Sequence, residues 1–400
     1  MTRLPIVVVG SGMAAIALVK ELRKLNAEIP VMMLTISDGA VYSKPRLSNA
    51  LSQQLSPAAL VQMTAQAFAL EQGITTITKC SVEHIDVSRK VLHTTSGEVP
   101  YRTLVLATGC RARNPTCEGD ACSNYHTLDS LESYMCMRQQ LSPGHTVLVL
   151  GGGLIGCEVA NDLAATCHKV LIVEAGSHLL ASTVPSEIGV ELEQALRRLG
   201  ISLMNRRIVQ RLDKSGNAIR ATLSDGTKLE VNVVISSIGT TPRTELAKSA
   251  GLAVGRGIVV DQYLETSIPA IYAMGDCAEV AGVHAPFVPP LLGQARALAR
   301  TLAGSPTPYV PKPVPITLKT PALPVVICPP LVSDGASWLV RKLSEGGVEA
   351  LCSDYTGTLT GFALAGAACA RRRSWADRLG CRLSEMSDAQ APQFNQMEVV

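Results

Sequence analysis

Aromatic residues are scarce in this sequence, at 4% of 400 residues, although apolar residues of all types make up 47%. That apolar content suffices for substantial hydrophobic cores, and we expect these cores to be aliphatic. No uninterrupted apolar run reaches the length of a membrane span. The apolar stretch Ile6–Val9 is broken by Gly10 and Gly12 and followed by a charged segment at 20–24. We therefore expect neither a transmembrane helix nor a signal peptide.

Long basic runs are also missing, and the formal net charge is only +3. This balance argues against nucleic acid as the main partner. A small positive surplus would still suit a small acidic protein.

The twelve cysteines include no CxxC pair. Several stand inside apolar stretches, where a free cysteine behaves as a small hydrophobic residue. We expect reduced thiols in a cytoplasmic protein, with neither a disulfide framework nor a metal site.

The segment 147–176 carries the most specific pattern in the chain. An apolar strand leads into three glycines, a helix-length segment and a second strand that ends on an acid: 147–150, Gly151, Gly153, Gly156, 170–173 and Glu174. Such glycines allow a tight turn, close approach of backbone to a pyrophosphate and close helix packing. An acid about 20 residues further on can accept hydrogen bonds from a ribose 2′-OH and repel a 2′-phosphate. This βαβ unit therefore predicts an NAD site that prefers NADH to NADPH.

A second unit of the same kind begins the chain. Strand 4–9 leads into Gly10, Gly12 and Ala15, then a helix to about residue 26 and a strand at 31–34. Thr35 occupies the position of the expected acid, and Asp38 comes three residues later. Two such units imply two dinucleotides, and a flavin enzyme reduced by a nicotinamide nucleotide is the simplest explanation.

Four further segments offer polar or flexible groups. Ser43, Lys44 and Pro45 place a cation on a stiffened loop. The strand from 103 closes on Thr108 and Gly109, which leaves backbone N–H groups free for a cofactor.

Gly239 lies in a glycine turn that follows the strand from 233, and we count it among the cofactor-binding residues. Asp276 follows Gly275 within 257–280, a segment that we expect to supply two strands. Its carboxylate could bond a sugar-alcohol hydroxyl of a cofactor, or it could be the N-cap of a following helix.

These patterns predict an α/β fold of two Rossmann-like dinucleotide-binding domains plus a small α+β C-terminal domain. The FAD domain is discontinuous, and the NAD domain is inserted into it. The expected bounds are 1–112 and 243–312 for the FAD-binding domain, 113–242 for the NAD-binding domain, 313–383 for the C-terminal domain and 384–400 for a disordered tail.

The assembled motifs resemble the FAD-dependent NADH:rubredoxin reductases and the related flavorubredoxin reductases, within the two-dinucleotide-fold flavoprotein superfamily. The matching stretches are VVVGSGMAA, YSKPRLS, TLVLATG, VLVLGGGLIGCE, IGTTPR, SIPAIYAMGDCAE, LKTPALPVVICPP and GFALAG. One departure stands out, because Ser37 with Asp38 stands where relatives usually carry two acids. No cysteine precedes Cys80, which excludes the CxxxxC relay that disulfide reductases built on two dinucleotide folds carry near residues 38–51.

The resemblance implies FAD and NADH as cofactors and assigns roles at matching positions. Gly10, Gly12 and Ala15 would line the FAD pyrophosphate, and Thr108 with Gly109 would cover its adenylate side. The remaining assignments are Lys44 and Pro45 near the isoalloxazine, Asp276 at the ribityl chain, and Gly151, Gly153, Gly156 and Glu174 around NAD.

Lys44 and Glu158 resemble the family's pair beside the flavin, and we treat them as the candidate catalytic residues. Glu158 would pair with Lys44 and keep the lysine oriented where negative charge appears on the reduced flavin. In the alternative interpretation, Lys44 is a solvated cation and Glu158 merely favours a helix N-terminus.

The function that the resemblance implies is hydride transfer from NADH to FAD, followed by single-electron transfer to a rubredoxin-like iron protein. Candidate docking cations are Arg46, Arg296, Arg300 and Lys319, although an ordinary surface charge is the favoured interpretation of each. Two rival functions are a flavoprotein reductase or oxidase acting on a small molecule and a flavin-bearing NADH sensor without turnover. We expect a monomer or a dimer, and we expect Cys277 to be an inert packing residue because it has no cysteine partner at relay spacing.

Overall fold

In the computed structural model, strand Ile6–Val9 lies at the centre of a five-stranded sheet in which all paired strands are parallel. Its four residues are all buried, as expected for a continuous apolar strand of a parallel sheet covered on both faces. In spatial order, the strands are Ile271–Ala273, Thr103–Leu106, Ile6–Val9, Val31–Leu34 and Thr75–Ile77.

The structure describes residues 4–166, 168–331 and 335–385. These fall into two units. Unit 1 comprises the described residues of 4–44, Ser56–Arg111 and Thr240–Lys312, and unit 2 comprises those of Pro45–Leu55, Ala112–Gly239 and 313–385.

The main helix of unit 1, Met13–Leu25, packs against helix Val288–Leu302. It buries one face at the spacing of an amphipathic helix, through Ala14, Ala15, Leu18, Val19 and Leu22. The shorter helices of unit 1 are Pro57–Leu60, Ala65–Gln72 and Glu245–Ser249. The core around the sheet consists mainly of Val, Leu, Ile, Ala and Met side chains, as the composition predicts.

Small sheets surround this core. They are formed by Val41–Tyr42 with Val61–Met63, by Val82–Asp86, Val91–Thr94 and Gly97–Pro100, by Cys110–Ala112 with Thr240–Pro242, and by Ile258–Val260 with Ala278–Val280. The segment 257–280 thus holds three strands rather than the predicted two. Strand Ala278–Val280 is formed through its pairing with Ile258–Val260, a non-local partner that the local pattern does not reveal.

Unit 2 contains a four-stranded parallel sheet in the order Ser202–Asn205, Lys169–Glu174, Thr146–Leu150 and Val233–Ser236. Its helices are Leu131–Gln140, Leu154–Ala164 and Ser186–Arg198. Three antiparallel strands of the same unit, Val209–Ser215, Ala218–Leu223 and Lys228–Val231, form a β meander.

The C-terminal part of unit 2 is an antiparallel sheet of five strands. Their order is Ile316–Leu318, Val325–Cys328, Leu359–Ala365, Val348–Ser353 and Ser337–Lys342. Helix Arg372–Ala376 follows, and Trp375 Nε1 donates a 2.7 Å hydrogen bond to the fully buried Glu349, which also binds Arg341. A buried carboxylate with charged and polar donors avoids the cost of an unpaired buried charge.

Four 3₁₀ helices complete the secondary structure of the described residues: Lys44–Asn49, Gly275–Cys277, Gly366–Arg371 and Leu383–Glu385. Lys44 therefore begins a helix instead of lying on a loop. Of the predicted disordered tail at 384–400, the first two residues belong to the 3₁₀ helix Leu383–Glu385, and the rest, from 386 onward, lies outside the described residues. No helix among residues 4–166, 168–331 and 335–385 is long and apolar enough to cross a membrane.

Candidate functional site

The first glycine loop of unit 1 joins strand Ile6–Val9 to helix Met13–Leu25. Gly10 has a φ of +120°, and a Cβ there would overlap the carbonyl oxygen of Ala107, so only glycine fits. Gly12 is the N-cap of the helix, and no side chain caps this N-terminus. A Cβ on Gly12 would meet no protein atom within 4 Å. The loop therefore offers unpaired backbone N–H groups beside open space, which suits a pyrophosphate.

Hydroxyl groups occupy the end of the second strand, where the sequence lacks the expected acid. Ser11 Oγ lies 2.8 Å from Thr35 Oγ1, and Thr35 Oγ1 lies 3.1 Å from Ser37 Oγ. Asp38 is engaged locally, because its Oδ1 accepts the N–H of Ala40 at 2.9 Å. This arrangement places neutral donors and acceptors where related loops use a carboxylate.

Asp276 lies in the 3₁₀ helix Gly275–Cys277 and accepts a hydrogen bond from Cys110 Sγ at 3.4 Å. The N-cap interpretation of Asp276 is wrong, since helix Val288–Leu302 begins after Phe287 and no side chain caps it. Burial and the negative charge of Asp276 raise the pKa of Cys110 to about 11, and the positive charge of Lys44 acts in the opposite direction. Lys44, Cys110 and Asp276 therefore lie within electrostatic range of one another.

The neighbouring backbone is held by local bonds. Thr108 Oγ1 donates to Arg243 O at 2.9 Å, and Gly109 adopts a φ of +68°. Cys277 is fully buried, and its Sγ donates to Met274 O at 3.2 Å. Burial raises the pKa of the Cys277 thiol, which agrees with a packing role.

The second glycine loop, in unit 2, repeats this geometry. Gly151 has a φ of +94°, and a Cβ there would come within 2.7 Å of Ser237 O. A Cβ on Gly156 would overlap the carbonyl oxygen of Gly151. Gly153 caps helix Leu154–Ala164 without any side-chain cap, and a Cβ on it would meet nothing within 4 Å. The second glycine of each loop is therefore the one that faces open space.

Glu174 ends strand Lys169–Glu174 and binds the loop itself. Its Oε2 accepts the N–H of Gly152 at 2.5 Å, and its Oε1 accepts the N–H of Gly176 at 2.6 Å. The half-buried carboxylate thus keeps a fixed orientation at the end of the strand. A carboxylate fixed there suits a ribose diol.

Ser237, directly after strand Val233–Ser236, also borders this loop, and Gly239 follows two residues later. The buried Ser237 Oγ has no hydrogen-bond partner among the described residues, although its backbone lies against Gly151. Gly239 has a φ of +99°, and its carbonyl accepts the N–H of Arg113 at 3.0 Å. A buried unpaired hydroxyl beside a phosphate-binding loop fits a site that binds a polar ligand.

Glu158 lies one turn into helix Leu154–Ala164 and is 7% exposed. Its Oε2 lies 2.8 Å from Lys319 Nζ and accepts Ser48 Oγ at 2.5 Å, and its Oε1 accepts the N–H of Lys319 at 2.9 Å. Lys319 Nζ also donates to Ser48 Oγ at 2.7 Å and to Pro45 O. Lys319 is thus not the free docking cation that the sequence suggested, because its ammonium group is bound within unit 2.

Sequence analysis identified the glycines of both loops and the acids Glu174, Asp276 and Glu158. It missed Ser48, Ser237 and the role of Lys319. Ser48 and Lys319 do stand inside the quoted stretches YSKPRLS and LKTPALPVVICPP, but their pairing joins residues 271 positions apart. Such a contact has no local signature.

Comparison with known proteins supports a single family. Residues 4–297 match the family model described as pyridine nucleotide-disulphide oxidoreductase, and residues 310–379 match the rubredoxin binding C-terminal domain. The chain belongs to the pyridine nucleotide-disulphide oxidoreductase family.

The curated relatives of this family member cover almost the whole chain. A rubredoxin-NAD(+) reductase from Alcanivorax borkumensis is 41% identical over 91% of this chain and 95% of its own length. A nitric oxide reductase FlRd-NAD(+) reductase from Aeromonas salmonicida is 40% identical over 90% of this chain and 92% of its own length.

Solved structures agree with this placement. Putidaredoxin reductase, in its covalent complex with putidaredoxin, has a TM-score of 0.86 at 26% identity and covers 96% of this chain and 95% of its own. A ferredoxin reductase from Rhodopseudomonas palustris has a TM-score of 0.85 at 26% identity, over 94% of this chain and 96% of its own. The resemblance, the α/β fold class and the prediction of a flavoprotein reductase that uses FAD and NADH are therefore confirmed.

Proposed function

We propose that this family member passes hydride from NADH to a bound FAD and then passes electrons singly to a small iron protein such as rubredoxin. The observation that carries the proposal is the presence, in one chain, of two open glycine loops and a C-terminal segment that matches a rubredoxin-binding domain. Two loops account for a flavin and a nicotinamide nucleotide. The C-terminal domain accounts for the protein acceptor.

FAD is assigned to unit 1. Gly10, Gly12 and Ala15 would hold its pyrophosphate, because the loop presents backbone N–H groups and space for the phosphates. Asp276 would bond the ribityl hydroxyls through the carboxylate oxygen that Cys110 does not occupy. The other assigned positions are Lys44, Pro45, Thr108 and Gly109.

NADH is assigned to the loop of unit 2. Gly151, Gly153 and Gly156 would hold its pyrophosphate, and Glu174 would accept hydrogen bonds from the adenosine ribose. Gly239 is also assigned to cofactor binding. The carboxylate of Glu174 would repel a 2′-phosphate, so NADH should be preferred to NADPH.

A bound flavin supplies the chemistry that converts a two-electron donor into a one-electron donor. The residues of the chain bind, orient and exclude water, and no acid–base pair is required. Lys44 would place a positive charge where negative charge develops on reduction. The ion partner that the structure gives Glu158 is Lys319 rather than the predicted Lys44, and Glu158 belongs to a hydrogen-bond network that includes Pro45 and Ser48, just after Lys44 in the chain.

Domain bounds follow from these assignments. We propose an FAD-binding domain at 1–112 and 243–312, an NAD-binding domain at 113–242 and a C-terminal domain at 313–383. The two structural units support the boundaries near 112 and 312 but group residues 45–55 with unit 2. We also propose a cytoplasmic location, which the free cysteines among the described residues support.

Anaerobic rapid mixing tests the function. NADH should bleach the flavin absorbance, and oxidised rubredoxin added next should restore it with one electron per iron. Bleaching without transfer to any iron protein would favour the small-molecule reductase instead. A stable long-wavelength charge-transfer band with negligible turnover would favour the NADH sensor.

A further inference from the structure

Lys319 uses all of its ammonium donors inside unit 2. Nζ bonds Glu158 Oε2 at 2.8 Å, Ser48 Oγ at 2.7 Å and the carbonyl oxygen of Pro45. An ammonium group has three donors, so none remains for a partner protein. The backbone N–H of Lys319 donates a hydrogen bond to the second carboxylate oxygen of Glu158 at 2.9 Å. Lys319 therefore contacts both oxygens of this carboxylate.

Glu158 lies in helix Leu154–Ala164, and the next turn of this helix also binds residues near Ser48 and near Lys319. Asp162 accepts the backbone N–H groups of Leu51 and Ser52, each at 2.9 Å. Asn161 Oδ1 accepts the N–H of Ala322 at 3.2 Å. Positions 158, 161 and 162 share one helix face by their spacing, and all three side chains are buried. Helix Leu154–Ala164 therefore binds both the 45–52 segment and the start of the C-terminal domain through polar groups.

The arrangement fixes the helix that Lys44 begins. Pro45 and Ser48 belong to the 3₁₀ helix Lys44–Asn49, and Glu158 stands five residues after Gly153 of the NAD loop. The ammonium group of Lys319 thus connects the 3₁₀ helix Lys44–Asn49, which begins at the candidate flavin-side lysine, to helix Leu154–Ala164, which follows the candidate NAD loop. Because Glu158 is 7% exposed, its charge depends on this cation for compensation.

We propose that Lys319, a residue of the C-terminal domain, is a positioning residue for hydride transfer, which holds Glu158 and the 3₁₀ helix Lys44–Asn49 in one fixed arrangement. The proposal rests on the function proposed above. It assigns to Lys319 an effect on the rate of flavin reduction rather than on the docking of the iron protein.

The test compares Lys319→Met with Lys319→Arg, Ser48→Ala and the parent protein in anaerobic stopped-flow reduction by NADH. Lys342→Met is the matched control, because Lys342 also lies in the C-terminal domain and pairs with a glutamate, but its side chain is 75% exposed. FAD content, the NADH Kd and the limiting rate of flavin bleaching are measured for each variant.

Lys319→Met should lower the limiting rate by about 10- to 100-fold, the loss that small misplacements of reacting groups cause. The NADH Kd should change by less than about threefold, since binding by the glycine loop is untouched. Lys319→Arg should recover much of the rate because it keeps the charge, and Lys342→Met should match the parent.

A parental limiting rate in Lys319→Met would overturn the proposal, as would a rise in Kd that accounts for the whole loss of activity. If Lys319→Met loses FAD or fails to fold, Ser48→Ala decides the matter: a clear fall in limiting rate supports positioning, and a parental rate refutes it. If NADH fails to bleach the flavin of the parent protein, the proposed function itself is wrong. If the parent and Lys319→Met bleach equally fast, only the positioning role of Lys319 is wrong.

Discussion

Glu174 orders the loop at the end of its strand, and we propose that it also selects the cofactor. Its two oxygens accept the N–H groups of Gly152 and Gly176, so the orientation of the carboxylate is set before any ligand arrives. A preoriented acceptor loses little entropy when it binds a ribose diol. The same fixed charge makes a 2′-phosphate costly.

Replacing Glu174 with Ala together with Ala175→Arg should narrow the preference for NADH over NADPH. Losing a hydrogen bond to a charged group costs about 1.5–3 kcal/mol, so NADH should lose about 10- to 100-fold in kcat/KM while NADPH gains from the new arginine. Steady-state rates with both nucleotides measure the ratio. Glu230→Gln, an exposed acid in the β meander, is the control and should leave the ratio unchanged. An unchanged ratio in the double variant would mean that Glu174 does not contact the ribose.

Asp276→Ala should weaken retention of FAD. Loss of a charged acceptor for the ribityl hydroxyls should cost about 1.5–3 kcal/mol, about 10- to 100-fold in FAD affinity. The ratio of flavin to protein absorbance after purification measures the effect. Cys110→Ala removes the protein partner of Asp276 but keeps the carboxylate, so it should retain FAD. Equal loss of flavin in both variants would indicate a packing role for this contact.

At the scale of elements, the two strand–loop–helix units place their glycines in the same way. In each, the first glycine has a positive φ and approaches a neighbouring backbone, whereas the second caps the helix and faces open space. Gly12 and Gly153 have φ values of −73° and −75°, which alanine adopts without strain. The fold itself therefore tolerates a side chain at these two positions, which supports the proposal that a ligand occupies the open space there.

Gly12→Ala and Gly153→Ala should each fold normally but lose one cofactor. Without cofactor, both should melt at or slightly above the parent temperature, since Gly→Ala lowers the entropy of the unfolded chain. Overlap with a pyrophosphate should cost about 1–3 kcal/mol, about 5- to 150-fold in affinity. Gly12→Ala should weaken FAD and Gly153→Ala should weaken NADH, as equilibrium titration would measure. Each variant is the control for the other, and parental affinity for both cofactors in either one would contradict the assignment of that loop.

For the whole molecule, buried thiols make stability depend on alkaline pH. Burial raises the pKa of Cys110 to about 11 and that of Cys328 to about 12, and it also raises the pKa of Cys157. An unfolded chain releases thiol protons near pH 8.5, about the ordinary value. The folded protein keeps them longer, so this contribution to stability is fully present below about pH 8.5 and is lost as the pH rises toward the folded values.

The free energy of unfolding should therefore fall between pH 8.5 and 11, by up to about 1.4 kcal/mol per pH unit for each such thiol. The urea midpoint of unfolding should fall with it. Denaturation series at several pH values, in the presence of reductant, measure the slope. Cys328→Ala lowers stability at every pH but should make the slope shallower. A slope identical to that of the parent would place the alkaline sensitivity in other groups.

Local chemistry allowed much of this protein to be predicted from its sequence. Glycine spacing, continuous apolar strands and a terminal acid all act within about 30 residues, so both dinucleotide units and a small C-terminal α+β domain could be anticipated. The strand Val31–Leu34 has its predicted bounds.

Only the tertiary structure decided how the polar residues outside those patterns are used. A lysine in a sequence carries no sign of its partner, and Lys319 finds Glu158 and Pro45 across 161 and 274 positions of chain. The strand Ala278–Val280 and the 3₁₀ helix beginning at Lys44 likewise depend on what packs beside them. Sequence alone determined where backbone can hold phosphates, because that depends on the conformational freedom of single residues. The tertiary structure determined which charged groups have a partner within the protein, because such pairing depends on distances between residues remote in the chain.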